Sequence, residues 1–261
     1  MGEESLNSKR HVFAVVNQKG GVGKSTTAVN LAAALGELGE KVLLIDLDPQ
    51  GNATSGFGLS KNRRDKCVYN ALLEETTLEE IAEVTNSPGV TVVPATIQLA
   101  GAEIELVNAM SREMRLHRLI EPIRDQYDYV LIDCAPSLGL LTINALTAAD
   151  GLIIPIQCEF YALEGLSKLL DSVRLVNTHL NANLRVFGVV MTMYSSRMKL
   201  ANQVVAEVQA YFGDEVFKTL IPRTVRLSEA PSFGLPITEY DTTGKGAIAY
   251  RDLAKEVVSR G

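Results

Sequence analysis

The chain has 261 residues, 46% of them hydrophobic, and a formal net charge of −6. That length and apolar content supply a sizeable core for one large α/β domain, and the negative balance argues against DNA binding by the whole surface while leaving room for a local basic patch. No apolar run reaches the ~18 residues that a membrane span needs, the first ten residues are too polar for a secretory leader, and Cys67, Cys134 and Cys158 are too far apart for a disulfide framework or a zinc site.

The expectation is a cytoplasmic protein with reduced, packed thiols, built as a short polar tail (1–10) and a single domain (11–261). No long repeat, low-complexity tract or Pro/Ser-rich linker divides it. Apolar runs at 12–16, 42–45, 90–93, 129–132, 152–156, 186–191 and 216–221 read as strands. Helical stretches at 24–38, 68–74, 78–84, 99–124, 141–148, 163–176, 201–212 and 248–259 alternate with them, and 47–65 reads as a glycine-rich polar connection. Alternation of this kind, with strands that are apolar throughout, predicts a mostly parallel twisted sheet with helices on both faces. Ligands in such folds sit at the carboxyl ends of the strands.

The segment Gln18-Lys19-Gly20-Gly21-Val22-Gly23-Lys24-Ser25-Thr26 falls at such an end, between the first strand and the first helix. Glycines let consecutive N–H groups turn inward onto phosphate oxygens, and the helix start adds its positive dipole end. Lys24 can reach the β- and γ-phosphates and the Ser25 hydroxyl can ligate Mg²⁺. The common phosphate loop has glycine where this chain has Gln18, and Lys19 follows as an additional cation.

Two acidic elements complete the pattern. Asp46 and Asp48 follow the apolar run at 42–45, and Asp133 ends the run at 129–132. Alternation puts Asp46 and Asp48 on one side if the strand extends that far. An aspartate ending a strand can be a turn or helix cap; downstream of a phosphate loop it is placed to hold the metal. On this reading Asp133 and Ser25 bind Mg²⁺, Asp46 supports the metal side, and Asp48 orients the attacking water. Lys19 acts on the developing charge as an arginine finger does, in cis or from a second subunit.

Three stretches together resemble the ParA/Soj partitioning branch of the deviant Walker A P-loop ATPases. They are Lys19–Thr26, the run Asp46-Leu47-Asp48-Pro49-Gln50-Gly51-Asn52-Ala53-Thr54, and Ile221-Pro222-Arg223-Thr224-Val225-Arg226-Leu227-Ser228-Glu229-Ala230-Pro231-Ser232. The resemblance runs from about residue 11 to 258. It implies that ATP closes two subunits into a nucleotide-sandwich homodimer, with Lys19 reaching the partner's nucleotide. It also implies that Asp48 is the hydrolytic aspartate and that Pro222 and Thr224 approach adenine, where many relatives have asparagine in place of Thr224. With Lys19, the loop residues Gly20, Gly21, Val22, Gly23, Lys24, Ser25 and Thr26 would make up the rest of the ATP site.

The family's ATP dimer binds double-stranded DNA without sequence preference, and a ParB-like centromere-binding partner stimulates hydrolysis. The matching DNA positions are Arg197 and Arg226, with Lys199 the weaker candidate. Between residues 185 and 235 six basic residues stand against four acidic ones, so a basic patch fits there, although arginines of this kind also occur as plain solvated surface. A nucleoid-associated chromosome- or plasmid-partitioning ATPase is the leading expectation. A MinD-like membrane ATPase would need a basic amphipathic C-terminal helix with bulky apolar anchors, and residues 249–258 have mixed charge and few of these. An iron–sulfur electron-transfer ATPase would need a matching cysteine pair, and a non-hydrolysing scaffold would not need Asp48 and Asp133. Only about ten residues precede the first strand, so no operator-binding extension is expected.

Overall fold

The computed structural model describes residues 10–62, 64–160 and 166–261. The tail 1–9 and the expected helix start at Leu163 lie outside the described residues. Eight strands form one sheet in the order β3-β4-β2-β5-β1-β6-β7-β8. They are β1 (His11–Val15), β2 (Val42–Leu47), β3 (Glu83–Val84), β4 (Val90–Val93), β5 (Tyr129–Cys134), β6 (Gly151–Gln157), β7 (Arg185–Tyr194) and β8 (Val216–Pro222). Every pairing is parallel except β3 with β4.

Alternation along the strands sorts side chains into two cores. Val12, Ala14, Leu43, Ile45, Val130 and Ile132 point to one face. That face is covered by α3 (Val68–Leu72), α4 (Leu78–Ile81), α5 (Leu99–Glu105), α6 (Arg115–Ile120), α7 (Leu140–Ala148), α8 (Leu166–His179) and α9 (Lys199–Phe212). Phe13, Val15, Val42, Leu44, Tyr129 and Leu131 point to the other face, against α1 (Lys24–Glu37), α2 (Asn52–Gly56), α10 (Val225–Glu229), α11 (Ile237–Tyr240) and α12 (Lys245–Arg260). The sheet with helices on both faces is thus as expected from the strand pattern.

Five details depart from the sequence reading, the first being that the connection expected over 47–65 holds the short helix α2. The helix expected over 78–84 stops at Ile81, because Ala82 is extended and Glu83–Val84 pair antiparallel with Val92 and Thr91 as an edge strand. The long helix expected over 99–124 is broken into α5, α6 and short 3₁₀ turns, with Ala109 extended and Ser111 left-handed at φ 50°. The last helix starts three residues earlier than expected, at Lys245 after Gly244. The stretch 225–240, given no element by periodicity, holds two short helices and a 3₁₀ turn. Their shortness hides them, since a single turn has no period to read.

Helix α1 packs closely on the edge of the sheet. A Cβ added to Gly36 would lie 2.0 Å from the Pro88 carbonyl oxygen. Alanine inside a helix ordinarily stabilises it by about 1 kcal/mol relative to glycine. At Gly36 the contact with rigid backbone reverses the sign, so Gly36→Ala should lower stability by ~1–3 kcal/mol, read as a lower urea midpoint at unchanged m-value.

Candidate nucleotide site

The site begins where the carboxyl ends of β1, β2 and β5 align. Strand register places Val15 beside Asp133 and Asp133 beside Asp46. Period 2 turns both carboxylates toward the face covered by α1, and both residues are fully buried. The loop after β1 lies over them. It turns with Gly21 at φ 75° and Gly23 at φ 91°, conformations that only glycine adopts readily. Gly23 is the N-cap of α1, no side chain caps that helix start, and no acidic residue lies in its first turn. The first-turn N–H groups are therefore available to an anion.

Polar ties fix the loop to the sheet. Buried Asn17 donates to the Pro155 carbonyl at 2.8 Å and accepts from the Lys19 amide at 3.0 Å. The Thr192 hydroxyl on β7 donates to the Val22 carbonyl at 2.8 Å. Lys24 is only 7% exposed, and its ammonium donates to the Lys19 carbonyl at 3.0 Å. Burial pulls its pKa down, while Asp133, Cys134 and Asp48 oppose that. Lys19, by contrast, is exposed.

The three aspartates differ in what they hold. Asp46 Oδ2 accepts from the Thr54 amide and hydroxyl, each at 2.7 Å, and Oδ1 from the Asp48 amide at 3.2 Å. Burial nevertheless pushes its pKa up to about 6. Its bonds pin the acidic loop, so its oxygens already have work within the chain. Asp133 has both oxygens buried without a hydrogen-bond partner. Burial, then neighbouring Asp46, hold its pKa well above the usual range, and the nearby Ser25 hydroxyl acts in the opposite direction.

An orphaned carboxylate facing a hydroxyl fits a divalent cation. No group of three or more His, Cys, Asp or Glu side chains among the described residues makes a metal cage. Asp48, beyond the end of β2, receives the Gln50 amide at 2.9 Å on one oxygen and faces the cleft.

Two adjoining cavities form that cleft. One, of about 390 Å³, is lined by Gly20, Gly21, Lys24, Ser25, Asp48 and Pro136 among others. The second, of about 380 Å³, is lined by Pro222, Thr224, Leu227 and Tyr250. Gly23, Thr26, Met193 and Pro231 border both. The structure thus brings Pro222 and Thr224 to the same cleft as the loop. Val22 is buried, and its carbonyl is held by Thr192. Thr224 caps α10 by accepting the Arg226 amide at 3.1 Å.

Sequence reasoning missed several lining residues. Asn30 and Met193 carried no motif; Gln50, Asn52, Leu227 and Pro231 lay inside stretches already singled out and could have been found there. Met193 holds a left-handed φ of 51° where the two cavities meet.

The basic residues lie apart from the cleft floor. Arg197 and Lys199 are exposed between the end of β7 and the start of α9. Arg226 is exposed on α10, paired with Glu229 at 3.1 Å, with Tyr240 5.9 Å beneath its guanidinium. The Arg223 amide bonds the Tyr194 carbonyl at 2.9 Å. Arg197 and Arg226 therefore branch from the joined ends of β7 and β8.

Asp133 gives a test of sign. Its folded pKa is raised, so the folded chain holds its proton where the unfolded chain has lost it. The stability this adds is full below about pH 4 and is lost as pH rises through the folded value. Asp133→Asn should flatten that fall in the ligand-free protein's urea midpoint and remove the Mg²⁺-dependent part of nucleotide affinity, followed by titration with and without Mg²⁺.

A family model described as an AAA domain matches residues 10–186. The sporulation initiation inhibitor protein Soj of Bacillus subtilis is 58% identical over 250 residues, covering 96% of this chain and 99% of that protein. The chromosome partitioning protein ParA of Myxococcus xanthus is 49% identical over 259 residues, covering 99% of this chain and 92% of that one. Among solved structures, a Mycobacterium smegmatis protein described as cobyrinic acid a,c-diamide synthase, with bound ATP analogue and magnesium, has a TM-score of 0.84 at 38% identity, covering 95% of this chain and 94% of that one. A shared fold hosts many activities, and here near-full-length identity carries the assignment: the chain belongs to the ParA/Soj family of chromosome-partitioning P-loop ATPases.

Proposed function

We propose that this chain is an ATP-dependent dimerisation switch. In the ATP state it binds double-stranded DNA without sequence preference, and it partitions a chromosome or plasmid with a ParB-like centromere-binding partner. The observation that carries the reading is the contrast between two lysines of one loop. Lys24 is buried near Asp133, while Lys19, five residues earlier in the same loop, is exposed. An exposed lysine on the loop can reach beyond its own subunit, and a homodimer gives Lys19 a second nucleotide to meet.

In this reading the N–H groups of Gly20–Thr26, with Lys24, hold the phosphates of ATP. Ser25 and Asp133 would hold Mg²⁺, which supplies neutralisation of the charge that develops on the phosphoryl oxygens. Asp46 keeps the acidic loop in place through Thr54 and the Asp48 amide. Asp48 receives or orients the attacking water's proton, and Lys19 stabilises charge across the dimer. Pro222 and Thr224 border the adenine. Exposed Arg197, Arg226 and Lys199 contact DNA phosphates, and dimerisation joins two weak patches into one stronger site. The place of action is the cytoplasm, on the nucleoid.

A membrane-attached alternative gains no support from α12. Its apolar side, Tyr250, Leu253 and Val257, is buried against the sheet and α1, and no helix among the described residues is long and apolar enough to cross a membrane.

Two experiments test the proposal. Asp48→Ala should stop turnover and trap an ATP-bound dimer, seen by size-exclusion chromatography; normal phosphate release would show that another group handles the water. Arg197→Ala with Arg226→Ala should lower ATP-state DNA affinity at least tenfold at moderate salt, with dimerisation intact. Unchanged affinity would place the DNA surface elsewhere.

A further inference from the structure

We infer that Lys61 is a positioning residue for hydrolysis, which holds the turn carrying Asp48 from outside the cleft. The inference rests on the reading of Asp48 given above. The turn closes through the Gly51 amide to the Asp48 carbonyl at 2.9 Å and the Gln50 amide to Asp48 Oδ1 at 2.9 Å. Each of these bonds is internal to residues 48–51. The ammonium of Lys61 adds an external one, donating to the Gln50 carbonyl at 2.8 Å.

The stem of Lys61 covers the same turn. Gly51 is left-handed at φ 63°, and a Cβ there would meet Lys61 Cδ at 3.1 Å and Lys61 Cβ at 3.2 Å. Glycine at 51 thus leaves the space in which the lysine lies. Lys61 is half-buried and is not part of the cleft lining, so it acts on Asp48 only through the turn.

The segment that brings Lys61 back is itself anchored on the base side of the cleft. Gly58 and Gly234 approach so closely that a Cβ on Gly234 would lie 2.6 Å from Gly58 Cα. Gly234 ends the 3₁₀ turn 230–233, whose Ala230 and Pro231 line the cleft. Residues 56–61 therefore strap the base-side wall to the hydrolytic turn. A lysine donor can hold a carbonyl in place without contributing to nucleotide affinity, and this separates its role from that of Lys24.

The test uses the full chain with Mg²⁺-ATP and three variants. Lys61→Met keeps the stem on Gly51 and removes the donor; Lys61→Arg restores a donor; Asp48→Ala reports on the underlying reading. Single-turnover phosphate release should fall about tenfold in Lys61→Met, the scale of one lost hydrogen bond to a charged group. ATP affinity should stay at the wild-type value, melting temperature should fall by no more than a few degrees, and Lys61→Arg should recover most of the rate. Wild-type release by Lys61→Met, or a loss confined to ATP affinity or melting temperature, overturns the inference. If Asp48→Ala itself turns over normally, the reading of Asp48 fails; if it is inactive while Lys61→Met is unaffected, only the positioning role fails.

Discussion

Two buried carboxylates side by side at the end of a parallel sheet are costly, and much of the site is arranged around that cost. Asp46 and Asp133 are register neighbours on β2 and β5, turned to the same face. Burial disfavours the charged form of both, and the neighbouring Asp46 further disfavours that of Asp133. The chain resolves the two differently. Asp46 is surrounded by donors from Thr54 and Asp48, so it is a structural clamp. Asp133 is left without hydrogen-bond partners under a lysine and a serine. One of the two carboxylates is thus left unsatisfied within the chain, which is what the proposed role of Asp133 toward a divalent cation draws on.

The loop above that pair is rigid for reasons outside its motif. Asn17 ties it to β6 and Thr192 ties it to β7. Behind it, α1 is fixed to the C-terminal region by the Thr27 hydroxyl against the Tyr250 hydroxyl at 3.3 Å and by the Ile237 amide donating to Asn30 at 2.6 Å. Phosphoryl transfer asks mainly for positioned charges, so these remote ties belong to the chemistry as much as the glycines do. They also link the phosphate half of the cleft to the segment that forms its base half.

Much of this was legible in the sequence. Strands apolar throughout announced a sheet covered on both faces, and Asp46 and Asp133 at the ends of two such strands announced a row of carboxylates. The separate fates of the two aspartates were not legible, because they depend on Thr54, which lies eight residues from Asp46 and reaches it only after α2 folds back. Met193 was hidden for a similar reason: it enters the cleft through a left-handed backbone at the end of a strand, which no apolar pattern encodes. The edge strand β3 is two residues long, too short for alternation to reveal.

The proposed DNA surface poses the remaining physical question, since a net charge of −6 works against any polyanion. In the single subunit Arg226 is already engaged by Glu229, with Tyr240 close beneath. An exposed pair of that kind contributes little and exchanges readily, so it lowers the resting pull of the patch without locking it. Arg197 and Lys199 stand on a neighbouring turn held near it by the Arg223–Tyr194 backbone bond. One such patch, partly neutralised on an acidic protein, is a poor site for a phosphate backbone. Two copies brought into register on one duplex bind with the second contact already prepaid by the first. In the proposed switch, the departure of the phosphate loop from the common form at Gln18-Lys19 thereby connects to DNA: Lys19 lets ATP join two subunits, and joining them gives weak basic patches enough combined affinity to hold the duplex.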